Sequence, residues 1–133
     1  MSAFVDTNIL VRHLTGDPPE MAARATRFLA TARDLLVTDL VVAETVCVLE
    51  SFYKAPRGQV AEAMRSLIAF DSIVVVDPAL LLRAIEVYET DRLDFAEAYL
   101  VANAETTGVG RVASLDQSID RVDTVERVEP TAD

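Results

Sequence analysis

Five acidic side chains stand where a fold could gather carboxylates. Asp6 closes the apolar run Ala3-Phe4-Val5 and is followed at once by Thr7-Asn8-Ile9-Leu10, so it sits where a strand hands over to a helix. In open α/β sheets ligands collect at the carboxyl ends of the strands. Glu44 lies inside an apolar helical stretch, Asp94 and Glu97 open another, and Asp116 follows a late strand. Several oxygens converging from separate elements are what Mg²⁺ takes, in octahedral geometry with some waters retained. One or two such ions activate water and steady a phosphoryl transition state.

Each acid also has an ordinary structural reading. Asp6 suits an N-cap. Glu44 shares a helix face with Leu40, Val41, Cys47 and Val48, where a carboxylate needs compensation from a metal or a distant arginine. Asp94-x-x-Glu97 before an apolar run has the spacing of a capping box, yet Glu97 also falls on the stripe of Leu100, Val101 and Ala104 and is expected to face the sheet. Asp116, in Ser114-Leu115-Asp116, suits a turn or a cap. None is specific alone; their joint placement carries the signal.

The elements that must position these acids follow from periodicity and capping. Strands are expected at 3–5, 35–37, 73–76, 112–113 and 125–128. Helices are expected at 8–14, 20–33, from a cap at Asp39 to about Tyr53, from Pro56 to about Phe70, from Pro78 to about Glu89, and from Asp94 to about Thr106. Strands separated by helices, with continuous apolar character, imply an α/β fold with a parallel sheet covered on both faces. The length of 133 residues and a hydrophobic content of 51% fit one domain, taken as 1–129, with a flexible tail at 130–133.

Composition excludes several chemistries. His13 is the only histidine, so a histidine-pair nuclease or histidine-rich zinc site is out of reach, and helix packing or the surface is its expected place. Cys47 is the only cysteine, which excludes an internal disulfide and a multi-cysteine zinc cage; a small core residue is expected. No serine sits in a Gly-x-Ser-x-Gly elbow, and Gly108-Val109-Gly110 is too short to cradle phosphate and should only end a helix. No apolar run is long enough for a membrane span, and the N-terminus lacks the layout of a signal peptide, so the cytoplasm is the expected address. A net charge of −10 opposes non-specific adhesion to nucleic acid, although acids gathered in one pocket inflate that count and bound cations reverse the local sign. Arg24, Arg27 and Arg33 are placed either to touch phosphates or to form a solvated helix face.

Val5-Asp6-Thr7-Asn8-Ile9-Leu10-Val11-Arg12, Val42-Ala43-Glu44, Asp94-Phe95-Ala96-Glu97-Ala98 and Ser114-Leu115-Asp116-Gln117-Ser118-Ile119-Asp120 together resemble the ordered motifs of a PIN domain, most closely the VapC-type toxins of bacterial toxin–antitoxin pairs. The resemblance covers nearly the whole chain. It implies a three-layer α/β/α sandwich with a mainly parallel sheet, Mg²⁺- or Mn²⁺-dependent cleavage of RNA, homodimers, and inhibition by a VapB-like antitoxin. By position, Asp6 matches the first family acid, Glu44 the second and Asp116 the fourth, with Asn8 and Ser114 as supporting polar groups. The third acid departs from the pattern: Glu97 stands where the family has Asp, and Asp94 lies one turn earlier. The reaction so implied is attack of metal-activated water on a phosphodiester with loss of the 3′ oxygen.

Two other readings compete. Phosphatase-like chemistry on an aspartyl nucleophile expects Asp two residues after Asp6, where Asn8 stands, and Lys54, the only lysine, is poorly placed for it. Alternatively, a PIN-like chain whose altered third acid has lost metal affinity survives as a binding or scaffold protein.

Overall fold

The computed structural model describes residues 2–132. Chain contacts divide into two units, Met1–Pro78 and Ala79–Asp133.

In the first unit, β1 (Ala3–Phe4), β2 (Leu35–Leu36) and β3 (Ile73–Val74) form a parallel sheet in the order β1-β2-β3. Ala3 pairs with Leu35, and Leu35 with Ile73. Beyond these short ladders, Val5 N–H donates to Leu36 O at 2.9 Å and Val37 N–H to Val74 O at 3.0 Å. Pairing therefore ends before Val76, which is 91% exposed, because β2 has already turned into the next helix and offers no partner so far along.

Four helices complete this unit. α1 (Thr7–Thr15) stops at Gly16, whose φ of 69° is a left-handed turn that suits glycine, and whose N–H donates to Arg12 O. α2 (Pro19–Thr31) starts with proline in its first turn, where a missing N–H costs nothing. α3 (Asp39–Ser51) is capped by Thr38, whose hydroxyl accepts from Val41 N–H at 3.2 Å. The cap expected at Asp39 is thus one residue earlier. The chain leaves the sheet at Val37, so Asp39 is already in the first turn, where its charge suits the positive helix end. α4 (Arg57–Ile68) follows Pro56. α1 packs on α2 and α3, and α3 on α4. Leu10, Leu29 and Leu35 are fully buried there, each stabilising the unit by about 1.5–3 kcal/mol. His13 is a helix-packing residue: its Nδ1 meets Thr26 Oγ1 at 2.8 Å and its ring lies edge-on to Phe70.

The second unit holds α5 (Pro78–Glu86), which begins at the boundary and runs into a π-helical turn at Val87–Asp91, then α6 (Phe95–Thr106), β4 (Arg111–Ala113), a 3₁₀ turn at Gln117–Arg121 and β5 (Glu126–Val128). β4 and β5 pair in parallel, Val112 opposite Arg127. Gly108 and Gly110, with φ of 77° and 70°, end α6, as the glycine pair implied. Tyr88, Leu93, Ala98, Val101 and Ile119 form this unit's core.

Every strand pairing among the described residues is parallel and every connection between strands is helical, which is the α/β class that the alternation of elements predicted. Residues 130–132 have no regular structure; position 133 of the expected tail, like position 1 of the expected domain, lies outside the described residues. Among the described residues, no helix is long and apolar enough to cross a membrane.

Candidate functional site

Asp6 occupies the N-cap position of α1, immediately past the last hydrogen-bonded residue of β1, with extended φ and ψ of −80° and 151°. Its side chain makes no cap bond. Backbone geometry thus places the carboxylate at the carboxyl end of a parallel strand, while the usual local use of an Asp at this position is not made.

Glu44 lies on α3 and shares with Asp6 a cleft of about 360 Å³, whose lining includes Thr7, Asn8, Arg12 and Phe52. The buried Thr7 hydroxyl donates a hydrogen bond to Glu44 Oε1 and so orients that carboxylate. The burial expected for Glu44 is corrected here. Glu44 and Cys47 are exposed and Leu40 is 78% exposed; the buried face of α3 carries Val42, Thr45, Val46 and Leu49 instead. α3 is apolar on nearly every side, so periodicity could not select which side meets the core. Cys47 is accordingly a surface thiol, not a core residue, and Glu44 needs no arginine to offset burial.

The second unit gathers Asp94, Glu97 and Asp116. Asp94 caps α6, its Oδ1 accepting from Glu97 N–H at 2.8 Å, which is the capping half of the expected box. The Glu97 carboxylate turns elsewhere: Oε2 accepts from Ser118 Oγ at 2.8 Å. Asp116 caps the 3₁₀ turn, with Oδ1 accepting from Ser118 N–H at 2.8 Å, while Ser114 Oγ accepts from Asp116 N–H at 2.9 Å. Arg127 on β5 donates to Ser114 O and pairs with Asp120 and Glu129, tying this loop to the strand.

Glu97 is half-buried, as its place beside Val101 and Ala104 predicted, although Leu100 on the same stripe is half-exposed. Desolvation pushes its carboxyl above the ordinary range; Ser118 opposes that, and a hydrogen bond to Asp116 and the charges of Asp94 and Asp116 add to it. Asp116 moves the opposite way, held down first by the Ser118 amide, then by the Ser118 side chain and by Glu97.

The structure thus brings Asp6, Asn8 and Glu44 to one cleft of the first unit, and Asp94, Glu97, Ser114 and Asp116 to one corner of the second. Among the described residues, no three His, Cys, Asp or Glu side chains form a ready-made group around an ion. The donor chemistry nevertheless fits a hard divalent cation, being all carboxylate and hydroxyl oxygen, and the negative charges of Asp94 and Asp116 that help raise the Glu97 carboxyl are charges a cation would offset. Thr7 and Ser118, which orient Glu44 and Glu97, had no role assigned from sequence. Their signal is a hydroxyl one or two positions beyond a candidate acid, too common in turns and caps to single out.

The sequence pattern of the PIN domain family matches residues 3–125. No curated protein matches the chain.

Proposed function

The chain belongs to the PIN domain family, whose members are generally nucleases using divalent metal ions, and from that premise we propose that it is a Mg²⁺-dependent endoribonuclease. The observation that carries the reading is Asp6: a carboxylate at a strand end, spared from capping, opening with Glu44 onto one cleft. A bound Mg²⁺, with Mn²⁺ as substitute, would supply Lewis acidity that makes water nucleophilic at neutral pH and offsets charge on the phosphate.

The residues that would hold metal are Asp6 and Glu44 in the first unit and Asp94, Glu97 and Asp116 in the second. Thr7 keeps the Glu44 carboxylate from rotating, and Ser118 does the same for Glu97. Outer groups of this kind orient metal ligands, and losing one typically costs about 10- to 100-fold in metal affinity or activity. Asn8 is exposed beside Asp6 and presents an amide to a phosphate oxygen; Ser114 fixes the Asp116 backbone. In the hydrolysis, the water oxygen bonds to phosphorus and the P–O3′ bond breaks, leaving a 5′-phosphate and a 3′-hydroxyl. No histidine is required.

Purified free of any partner, the protein should cleave RNA with Mg²⁺ and stop in chelator, and Asp6→Asn should abolish cleavage. Undiminished cleavage by that variant would sink the metal-site assignment.

Within the family we place the chain in the VapC-type toxin branch, on the four ordered motifs: a cytoplasmic homodimer of one PIN domain per chain, held inactive by a VapB-like antitoxin. A short DNA-binding reading frame found beside its gene would support that placement, and finding none would count against it. One observation favours a second reading. Glu97 replaces the third family acid and its carboxylate is engaged by Ser118, as in a PIN-like scaffold that no longer binds metal. Absence of both cleavage and metal binding would establish that reading.

A further inference from the structure

Beside the acidic cleft, the α1–α2 face of the first unit carries a second groove of about 620 Å³, lined by Arg12, Arg24, Arg27, Met21 and Phe28. Asn8 and Arg12 border both, so the groove and the cleft share a wall. The charge here runs against the rest of the molecule. The guanidinium groups of Arg24 and Arg27 enter no ion pair or hydrogen bond among the described residues, and that of Arg12 donates only to the Asp17 carbonyl. By contrast, Arg83, Arg111 and Arg127 of the second unit are each paired with carboxylates. Three cations facing one groove, none spent on an acid, are a charge arrangement that awaits anions.

Phe52 also lines the cleft, 74% exposed just past the end of α3. Its ring meets Tyr53 edge to face at 4.9 Å and 69°, and Tyr53 is itself held by a hydrogen bond from its hydroxyl to Asp17 at 3.0 Å. An aromatic ring kept in water, braced on one edge and lining the same cleft as Asp6, offers a flat apolar face to a ligand. Alternating anions and flat apolar rings are the chemistry of single-stranded nucleic acid. An apolar peptide would use Met21 and Phe28 but has no need of a row of cations leading to the acids.

We propose that the first unit holds single-stranded RNA on a track in which Phe52 stacks on a nucleobase and Arg12, Arg24 and Arg27 take the phosphates. This deepens the nuclease reading and rests on it for the identity of the strand as substrate. Arg12 and Phe52 then fix which phosphodiester lies against Asp6 and Glu44, so they set register, and Arg24 and Arg27 supply affinity without sequence preference.

The test is fluorescence anisotropy of a short labelled oligoribonucleotide with the full chain in chelator, where binding is read without cleavage. Phe52→Ala should weaken binding by about 5- to 150-fold, Phe52→Leu should weaken it similarly because bulk without a π face does not stack, and Phe52→Tyr should restore it. The double variant Arg24→Ala/Arg27→Ala, on exposed helical positions where alanine keeps the helix, should lower the slope of log affinity against log salt by about 1.4. Wild-type affinity and slope in these variants, or no RNA binding by the wild type, overturns the track. A labelled Glu/Leu peptide that binds where RNA does not, and is lost in the double variant, overturns it in favour of a protein segment. RNA bound through these residues but uncut with Mg²⁺ keeps the track and removes the nuclease; RNA cut equally by wild type and all variants removes the track alone.

Discussion

The acids of the first unit and those of the second reach their places by different means. Asp94 and Asp116 are held by the caps they make for α6 and the 3₁₀ turn, so local chain geometry already accounts for their orientation, and Glu97 is held by Ser118 across the same corner. Asp6 and Glu44 are placed by topology, at a strand end and in mid-helix, and neither caps anything. Charge divides the same way: residues 1–78 carry seven basic and ten acidic side chains, net −3, and residues 79–133 carry five and twelve, net −7. Capping explains Asp94 and Asp116 without any ligand, whereas no cap bond explains Asp6 at its strand end. The first unit is therefore where function is most exposed to test.

The largest effects should come from the proposed ligands, and they should be alike in both units. Glu44→Gln and Asp116→Asn should each lower kcat for RNA cleavage by about 100-fold or more, beyond what loss of an outer-shell group costs. A large loss in one and none in the other, in single-turnover assays, would confine the chemistry to one unit.

Next come the orienting hydroxyls. Thr7→Val and Ser118→Ala should each reduce activity or metal affinity by about tenfold, measured by calorimetric titration with Mn²⁺.

The pH dependence separates the units further. Glu97 is raised, chiefly by desolvation, so the metal-free fold takes up a proton that the unfolded chain releases. That contribution to stability is present below the ordinary glutamate range and is lost as pH rises through the raised folded value. Metal binding has the opposite sign, since the cation must displace the proton: below Glu97's folded value, affinity should fall by about tenfold per pH unit. Glu97→Gln should flatten the metal-free dependence, and a dependence left intact would assign it to another group.

The smallest effect is on stability. Asp94→Ala removes an N-cap and should cost about 1 kcal/mol in urea unfolding, whereas Asp6→Ala removes no cap bond and should leave the midpoint nearly unchanged. Equal losses would show that Asp6 is structural after all.

Much of this architecture was legible in the chain. Pro19, Pro56 and Gly16 punctuate helices by fixed backbone requirements, and short apolar runs separated by helices give parallel pairing. Asp94 was readable as a cap because its bond is to a residue three positions on. Glu44 was misread because its helix is apolar all round, and only packing decides which face of such a helix is buried. The Thr7–Glu44 and Ser118–Glu97 bonds span 37 and 21 residues, and no local rule reaches so far.

If the chain is a metal-dependent nuclease, Asp6 is a metal ligand and not a spare cap. The direct measurement is thermal unfolding of the wild type and Asp6→Asn with and without Mn²⁺. At about 100 times the dissociation constant, the metal should stabilise the wild type by about 2.7 kcal/mol, and at the same concentration it should leave the variant where it was. An equal rise in both, or none in the wild type, would contradict the assignment.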